Sequence, residues 1–394
     1  MKGHHHMMKG IKLVALSFSL LTYISGATVT TAYGGSVDNK GLHDSTLRTM
    51  ETLAEEYNLP SLSMAISIDE QIQFAQAVGF ADVNLKKVAD SQTQYSVGSI
   101  AKPMTGIALA KLLDAGKLAL DSSIERYIAD YPTQQENMTI KQLASHTAGI
   151  PHNTPERELR EYTNVRDHNS PFEALDVFSA QPLLFTPGTG FKYSSNGYIL
   201  LSAAIEKGAN QDFVDYLRDN IWSEFGMSQT ELDTSTAGAL HEARYYSAKN
   251  DKGAFVPAIE KRDRSFLFGA GGFISTPTDL VKMSASLYRE KYLSSQTLEA
   301  VLTPTKLANG DVNPQKYGLG WRVGEMQLAG MKDTVQVAHH GGVTDGAATA
   351  YLFVVPACKA AIAFATNTLP KQFWKLRPIM INLLKEYIRS DKCN

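Results

Sequence analysis

The 394-residue chain contains only two cysteines, Cys358 and Cys393. No Cys-x-x-Cys occurs and no histidine lies near either one, which excludes a cysteine-built zinc site and a dithiol redox motif. The sequence leaves open whether the two thiols pair. Charge of one sign is also missing: 38 basic against 40 acidic residues give a formal net charge of −2, with no long single-sign run. Nucleic acid is therefore not an expected partner. Beyond the first thirty residues there is no long apolar run, which argues against a multi-span membrane protein. Internal repeats and low-complexity segments are absent too. What is present, 43% hydrophobic and 20% charged residues, is an ordinary globular composition and excludes a disordered chain.

The N-terminus stands apart. Lys9 and Lys12 precede an apolar run over residues 13–24, and small residues follow at Ser25-Gly26-Ala27 and Thr30-Thr31-Ala32. This pattern is read as a cleavable signal peptide over residues 1–32, with His4-His5-His6, within residues 1–6, a tag remnant or an upstream start and not a metal site. The run is shorter than the ~20 apolar residues of a spanning helix, so the expectation is a periplasmic or secreted protein with no stable membrane insertion after cleavage. Downstream, helical spacing over 47–57 is followed by strand-like runs at 62–68 and 72–80, with Asp69-Glu70 as the turn. Residues 101–262 read mainly as helices broken by Pro/Gly signals. Strand patterns return from 266, at 335–339, 351–355 and 360–365, before a closing helix near 374–389. The pattern predicts an α+β fold. Its single catalytic domain spans 40–390, with a sheet lobe at 40–98 and 266–390 and a helical lobe at 99–265.

Three segments could carry chemistry. Ser99-Ile100-Ala101-Lys102 is the only Ser-x-x-Lys in the chain. Met104, Ile107, Ala108, Leu112 and Ala115 form a helical stripe after it, Gly116 suits the stop, and Pro103 requires a helix start close to Ser99. The Ser99 hydroxyl then sits at a helix N-terminus that favours an oxyanion, with Lys102 one turn on as its proton acceptor. The plainer alternative is a capping serine beside a solvated lysine. Tyr193-Ser194-Ser195 precedes an apolar helical run at 199–206, and a phenol held beside an ammonium can shuttle protons, although a packing role is the commoner use of an aromatic. His339-His340-Gly341-Gly342 ends the strand-like 335–338. Alternation puts Val335, Val337, His339 and Gly341 on one face, and paired glycines let a substrate lie close. No carboxylate cluster accompanies the histidines, so neither a metal nor another cofactor is expected.

Together these segments resemble the serine β-lactamase and penicillin-binding-protein superfamily, in its class C-like branch with carboxylesterases, D-amino-acid peptidases and the mitochondrial β-lactamase-like serine protease. The resemblance also rests on Leu143 through Pro151 (LASHTAGIP), Pro187-Gly188-x-x-Phe191-x-Tyr193-Ser194, Gly269 through Thr276 (GAGGFIST) and Tyr317-Gly318-Leu319-Gly320-Trp321. It implies an antiparallel sheet flanked by helices, a mostly helical lobe and an active site between them. It makes Ser99 the acylated nucleophile, Lys102 the proton acceptor and Tyr193 the shuttle to the leaving group. His339, His340 and Gly341 would form the third motif, and the N–H groups of Ser99 and Gly342 the oxyanion hole. His340-Gly341-Gly342 also reads His-x-Gly, and strand phase favours His339. His146 and Thr147 would be structural.

Two departures from the family pattern stand out. Ser195 occupies the place of an asparagine that helps hold the acyl amide, and a histidine replaces the lysine of efficient β-lactamases. Both point to a peptidase or an esterase acting on a small-molecule or peptide substrate. They also predict that an anionic substrate binds better as the pH falls towards ~6 and the His339 imidazole charges. A non-catalytic penicillin-binding or self-assembling protein is the alternative from a different class. Specificity is expected from loop 155–171, and Lys261, Arg262 and Arg264 are candidate carboxylate contacts.

Overall fold

The computed structural model describes residues 38–129, 131, 137–154, 168–234, 240–249, 253–258, 263–344, 348–370, 372–388 and 393. The leader expectation at 1–32, Lys261, Arg262 and most of loop 155–171 lie outside the described residues.

The chain begins with the helix Asp38–Glu56. Strands β1 (Ser61–Ile68) and β2 (Gln71–Asp82) follow as a hairpin. Its turn falls at Asp69 and Glu70, both at positive φ. Beyond β3 (Lys87–Val88) the chain leaves the sheet. It returns through β9 (Arg322–Met326), β10 (Val335–Thr344), β11 (Ala348–Val355) and β12 (Ala360–Thr366), and ends with the helix Phe373–Tyr387. The sheet order is β3-β2-β1-β12-β11-β10-β9, and its neighbours pair antiparallel. The first and last strands are thus joined at the centre, and the long insert runs from one edge of the sheet to the other.

Both faces of the sheet are covered. Val335, Val337, Tyr351, Phe353, Ile362 and Phe364 pack beneath the two terminal helices with Met50, Leu376 and Met380. Ala338, Ala350, Leu352, Val354 and Ala363 face the insert. Small residues dominate that second face, which brings the insert close. Within the insert, the helix Ala101–Asp114 is buried on nearly every side, as expected of a helix with no broad polar face. The helix Ser195–Ala209 packs against it.

The insert is less purely helical than its sequence suggests. Within 101–262 it holds β5 (Glu231–Leu232), β6 (Tyr246–Lys249) and β7 (Phe255–Pro257), and β5 joins β4 (Tyr95–Ser96) and β8 (Phe273–Ser275), which lie outside that stretch, in a small second sheet of order β4-β8-β5. Conversely, residues 266–302, assigned to the sheet lobe, are largely helical: the turn Ser265–Ala270 and the helices Pro277–Met283 and Ser295–Leu302 flank the short β8. Two- and three-residue strands carry too few alternating positions to be read from sequence.

Cys358, in the turn between β11 and β12, is disulfide-bonded to Cys393, 35 residues on. Closing a loop of that size is worth about 3–4 kcal/mol in the chain-entropy account. Changing both residues to serine is expected to lower the thermal midpoint by several degrees, as calorimetry would show. An unchanged midpoint would mean that the link contributes nothing to folding.

Candidate active site

Ser99 lies in the 3-10 turn Gly98–Ile100, which runs straight into the helix Ala101–Asp114. Gly98 has φ +49°, and a Cβ there would lie 2.8 Å from the Val343 carbonyl oxygen. A Cβ on Gly342 would lie 1.9 Å from the Val97 carbonyl oxygen. Only glycines allow this approach, so the end of β10 is pressed against the turn that carries the Ser99 hydroxyl.

One helical turn on, Lys102 is completely buried. Its Nζ donates to Ser99 Oγ at 3.2 Å, Ser195 Oγ at 3.1 Å and the Ala270 carbonyl at 2.5 Å. An ammonium has three donors, and each of the three has an acceptor here. The Ala270 carbonyl is aimed by packing. Gly269 slots between the two central helices, where a Cβ would meet Thr105 Oγ1 at 2.2 Å and Ser202 Oγ at 2.5 Å. The preceding Phe268 holds φ 40°, ψ −126°, a strained conformation for a bulky side chain. The Tyr193 ring centroid is 5.0 Å from Lys102 Nζ. Its ring is packed by His146 at 4.3 Å, His152 at 5.7 Å and the guanidinium carbon of Arg322 at 5.2 Å.

The third motif is one residue later than strand phase suggests. Val335, Val337, His339 and Gly341 do share a face, but it is the face beneath the terminal helices. The His339 ring lies against Tyr351 and Phe353, with centroids at 5.8 and 6.2 Å. A Cβ on Gly341 would meet the Trp374 indole at 3.3 Å. Burial first, then Arg377 and Arg322, push the His339 imidazole down to about 3. The register is therefore His340-Gly341-Gly342, and His339 and Gly341 do not face Lys102.

His340 does face it, buried with its ring centroid 6.2 Å from that of Tyr193. Nδ1 is 2.8 Å from the Gly341 carbonyl, and Nε2 is 2.9 Å from Tyr317 OH and 3.1 Å from Arg322 Nη1. Since the guanidinium can only donate, these partners assign the neutral tautomer with the proton on Nδ1. Burial, then Arg322 and Lys102, hold its pKa well below the usual imidazole range.

The structure thus brings Ser99, Lys102, Tyr193, Ser195, His340 and Gly342 together. Asn196 turns away and donates to the Pro151 carbonyl. His146 takes the supporting place expected of it: Nδ1 accepts the Ser194 N–H at 3.1 Å while its ring backs Tyr193. Sequence reading missed Arg322. It follows directly on the Tyr317–Trp321 motif, and only the β9–β10 pairing places its guanidinium at His340. Tyr317 and Ala270 were within quoted motifs, with nothing local to announce their roles.

A family model described as Beta-lactamase matches residues 47–383. The chain belongs to the beta-lactamase family. It is 26% identical to the serine beta-lactamase-like protein LACTB, mitochondrial, of Mus musculus, over 78% of this chain and 71% of that one. Penicillin-binding protein 4* of Bacillus subtilis is also 26% identical, over 77% of this chain and 67% of the relative. The solved D-amino acid amidase from Ochrobactrum anthropi SV3 superposes with TM-score 0.71 at 22% identity, covering 89% of this chain and 98% of that one. Beta-lactamase-family proteins of this fold are serine hydrolases, and the antiparallel sheet, flanking helices and helical insert are those of the family.

Proposed function

We propose that the protein is an exported serine hydrolase that cleaves amide or peptide bonds through a Ser99 acyl-enzyme, with β-lactams as poor substrates at most. The observation that carries this reading is the buried Lys102 Nζ, held between Ser99 Oγ and Ser195 Oγ. Export is supported by the leader pattern of residues 1–32.

The Ser99 oxygen attacks the substrate carbonyl as its proton passes to Lys102 Nζ, which acts in this step as the free amine. The resulting oxyanion meets the Ser99 N–H. With the register moved to His340, the second donor from β10 moves one place, from Gly342 to the Val343 N–H. Tyr193 hands the proton to the leaving nitrogen as the C–N bond breaks. Water then attacks the ester, and the proton returns to Ser99 Oγ. Ser195 occupies a lysine-bound position with a hydroxyl that cannot hold an acyl amide as an asparagine would, which weakens the fit to β-lactams.

The charge at the site is not the titrating histidine expected from sequence. It is the permanent guanidinium of Arg322, 3.1 Å from a neutral His340. Burial, then Arg322 and Lys102, hold the His340 pKa well below the ordinary imidazole value, so the ring stays neutral. KM for a carboxylate-bearing anilide should therefore stay flat from pH 6 to pH 8. Arg322→Gln should raise that KM about tenfold or more, the usual worth of a hydrogen bond to a charged group, and leave a neutral ester nearly unaffected. A KM that falls as the pH drops towards 6 would return the role to a histidine.

The reading is tested with D- and L-amino-acid anilides, p-nitrophenyl esters and nitrocefin, using Ser99→Ala as control. Ester turnover far above every anilide would make it an esterase. Ser99-independent turnover, or no fluorophosphonate adduct on Ser99, would overturn the acyl-enzyme.

A further inference from the structure

We propose that His152 is a positioning residue for the Lys102 centre, setting the first turn of the helix Ser195–Ala209 and with it the Ser195 hydroxyl. The proposal rests on the acyl-transfer reading of Ser99 and Lys102.

A helix leaves its first N–H groups without intrahelical partners, and a capping side-chain oxygen normally takes one or two. Here Ser194 Oγ accepts from the Gly197 N–H at 3.1 Å, which is the ordinary cap. Two earlier N–H groups, of Ser194 and Ser195, are taken by imidazoles. Ser194 N–H donates to His146 Nδ1 at 3.1 Å, and Ser195 N–H donates to His152 Nδ1 at 3.0 Å. Both histidines come from one short segment, 146–152. The Pro151 carbonyl between them accepts Asn196 Nδ2 at 2.9 Å and Ser194 Oγ at 3.2 Å. Four hydrogen bonds thus join this segment to the turn that bears Tyr193 and Ser195.

The division of labour between the two rings follows from their places. His146 is buried against Tyr193 and fixes the residue next to it. His152 is half-buried at the edge of the cleft and holds the residue whose side chain meets Lys102. A ring nitrogen accepts only without a proton, so the contact requires His152 to carry its proton on Nε2. Without the acceptor, the Ser195 N–H loses its anchor, and Ser195 Oγ can drift from Lys102 Nζ. The proton transfers between Ser99, Lys102 and Tyr193 then lose their alignment, while the substrate contacts of Arg322 and His340 stay in place. The effect belongs in kcat.

The test uses the full chain with an amino-acid anilide and a fluorophosphonate. His152→Phe keeps a ring and removes the acceptor; His152→Asn returns an oxygen acceptor near the position of Nδ1. His152→Ala is measured in the same way if the phenylalanine ring is not accommodated. Expected is a fall in kcat of about tenfold or more for His152→Phe, as for loss of a buried hydrogen-bond partner, with KM nearly unchanged, and recovery of most of it in His152→Asn. The rate of Ser99 labelling should follow kcat. Wild-type kcat in His152→Phe, or a folded His152→Asn as slow as His152→Phe, overturns the role of His152 alone. Failure of wild-type Ser99 to label or turn over any substrate overturns the hydrolase reading and this proposal with it.

Discussion

Replacing Ser99 by alanine is expected to take turnover of every substrate to background, a loss of about 10⁴-fold or more in kcat. The hydroxyl group is the atom that forms the acyl bond, and the nearest other hydroxyl on Lys102, Ser195 Oγ, cannot stand in. Ser195 begins the helix Ser195–Ala209 and is buried, whereas Ser99 is half-buried at the turn against β10 where a carbonyl can be polarised. Attack from Ser195 would place the oxyanion away from the Ser99 N–H and from β10. Mass spectrometry after fluorophosphonate treatment checks the same point: one adduct on wild type, none on Ser99→Ala. An adduct mapped to Ser195 would reassign the nucleophile.

Lys102→Ala should cost about 10³-fold or more in kcat, and Tyr193→Phe a comparable factor, while the double variant is little worse than the poorer single one. These residues form one proton-transfer unit. Lys102 Nζ touches Ser99 directly and lies 5.0 Å from the Tyr193 ring centroid, so either loss interrupts the same path. Lys102→Ala also leaves the Ser195 hydroxyl and the Ala270 carbonyl, buried acceptors, without their donor, which adds a loss of stability. Thermal midpoints measured beside kcat separate the two effects: Tyr193→Phe should melt near wild type, Lys102→Ala below it. Multiplicative losses in the double variant would show that Lys102 and Tyr193 act in separate steps.

The correction at the third motif shows where sequence reading stops. The alternation of Val335, Val337, His339 and Gly341 is real, and the strand bears it. Alternation identifies two faces, however, and names the core face only when the other is wet. In β10 both faces are covered over most of their length, one beneath the terminal helices and one against the insert. The apolar valines mark the first, and the chemistry lies on the second, among alanine, glycine and His340. A one-residue change of phase moves the site histidine, the close-approach glycine and the oxyanion donor together.

By itself the sequence determined the elements with strong local signals. The hairpin at Asp69-Glu70, the helix that starts beside Ser99 and stops at Gly116, the three C-terminal strands and the last helix all follow from periodicity and turn chemistry. So does the pairing of Ser99 with Lys102, because three residues of helix put both side chains on one face. Tertiary structure alone decided the rest. Whether Cys358 meets Cys393 depends on where the β11–β12 turn, which carries Cys358, lies relative to the C-terminal cysteine. Whether Lys102 is solvated or buried depends on Ser195 and Ala270, 93 and 168 residues away. That Arg322, and not a histidine, carries the charge at the site depends on the pairing of β9 with β10. Each of these joins residues far apart in sequence, and local propensity carries no information about which distant groups share a buried volume.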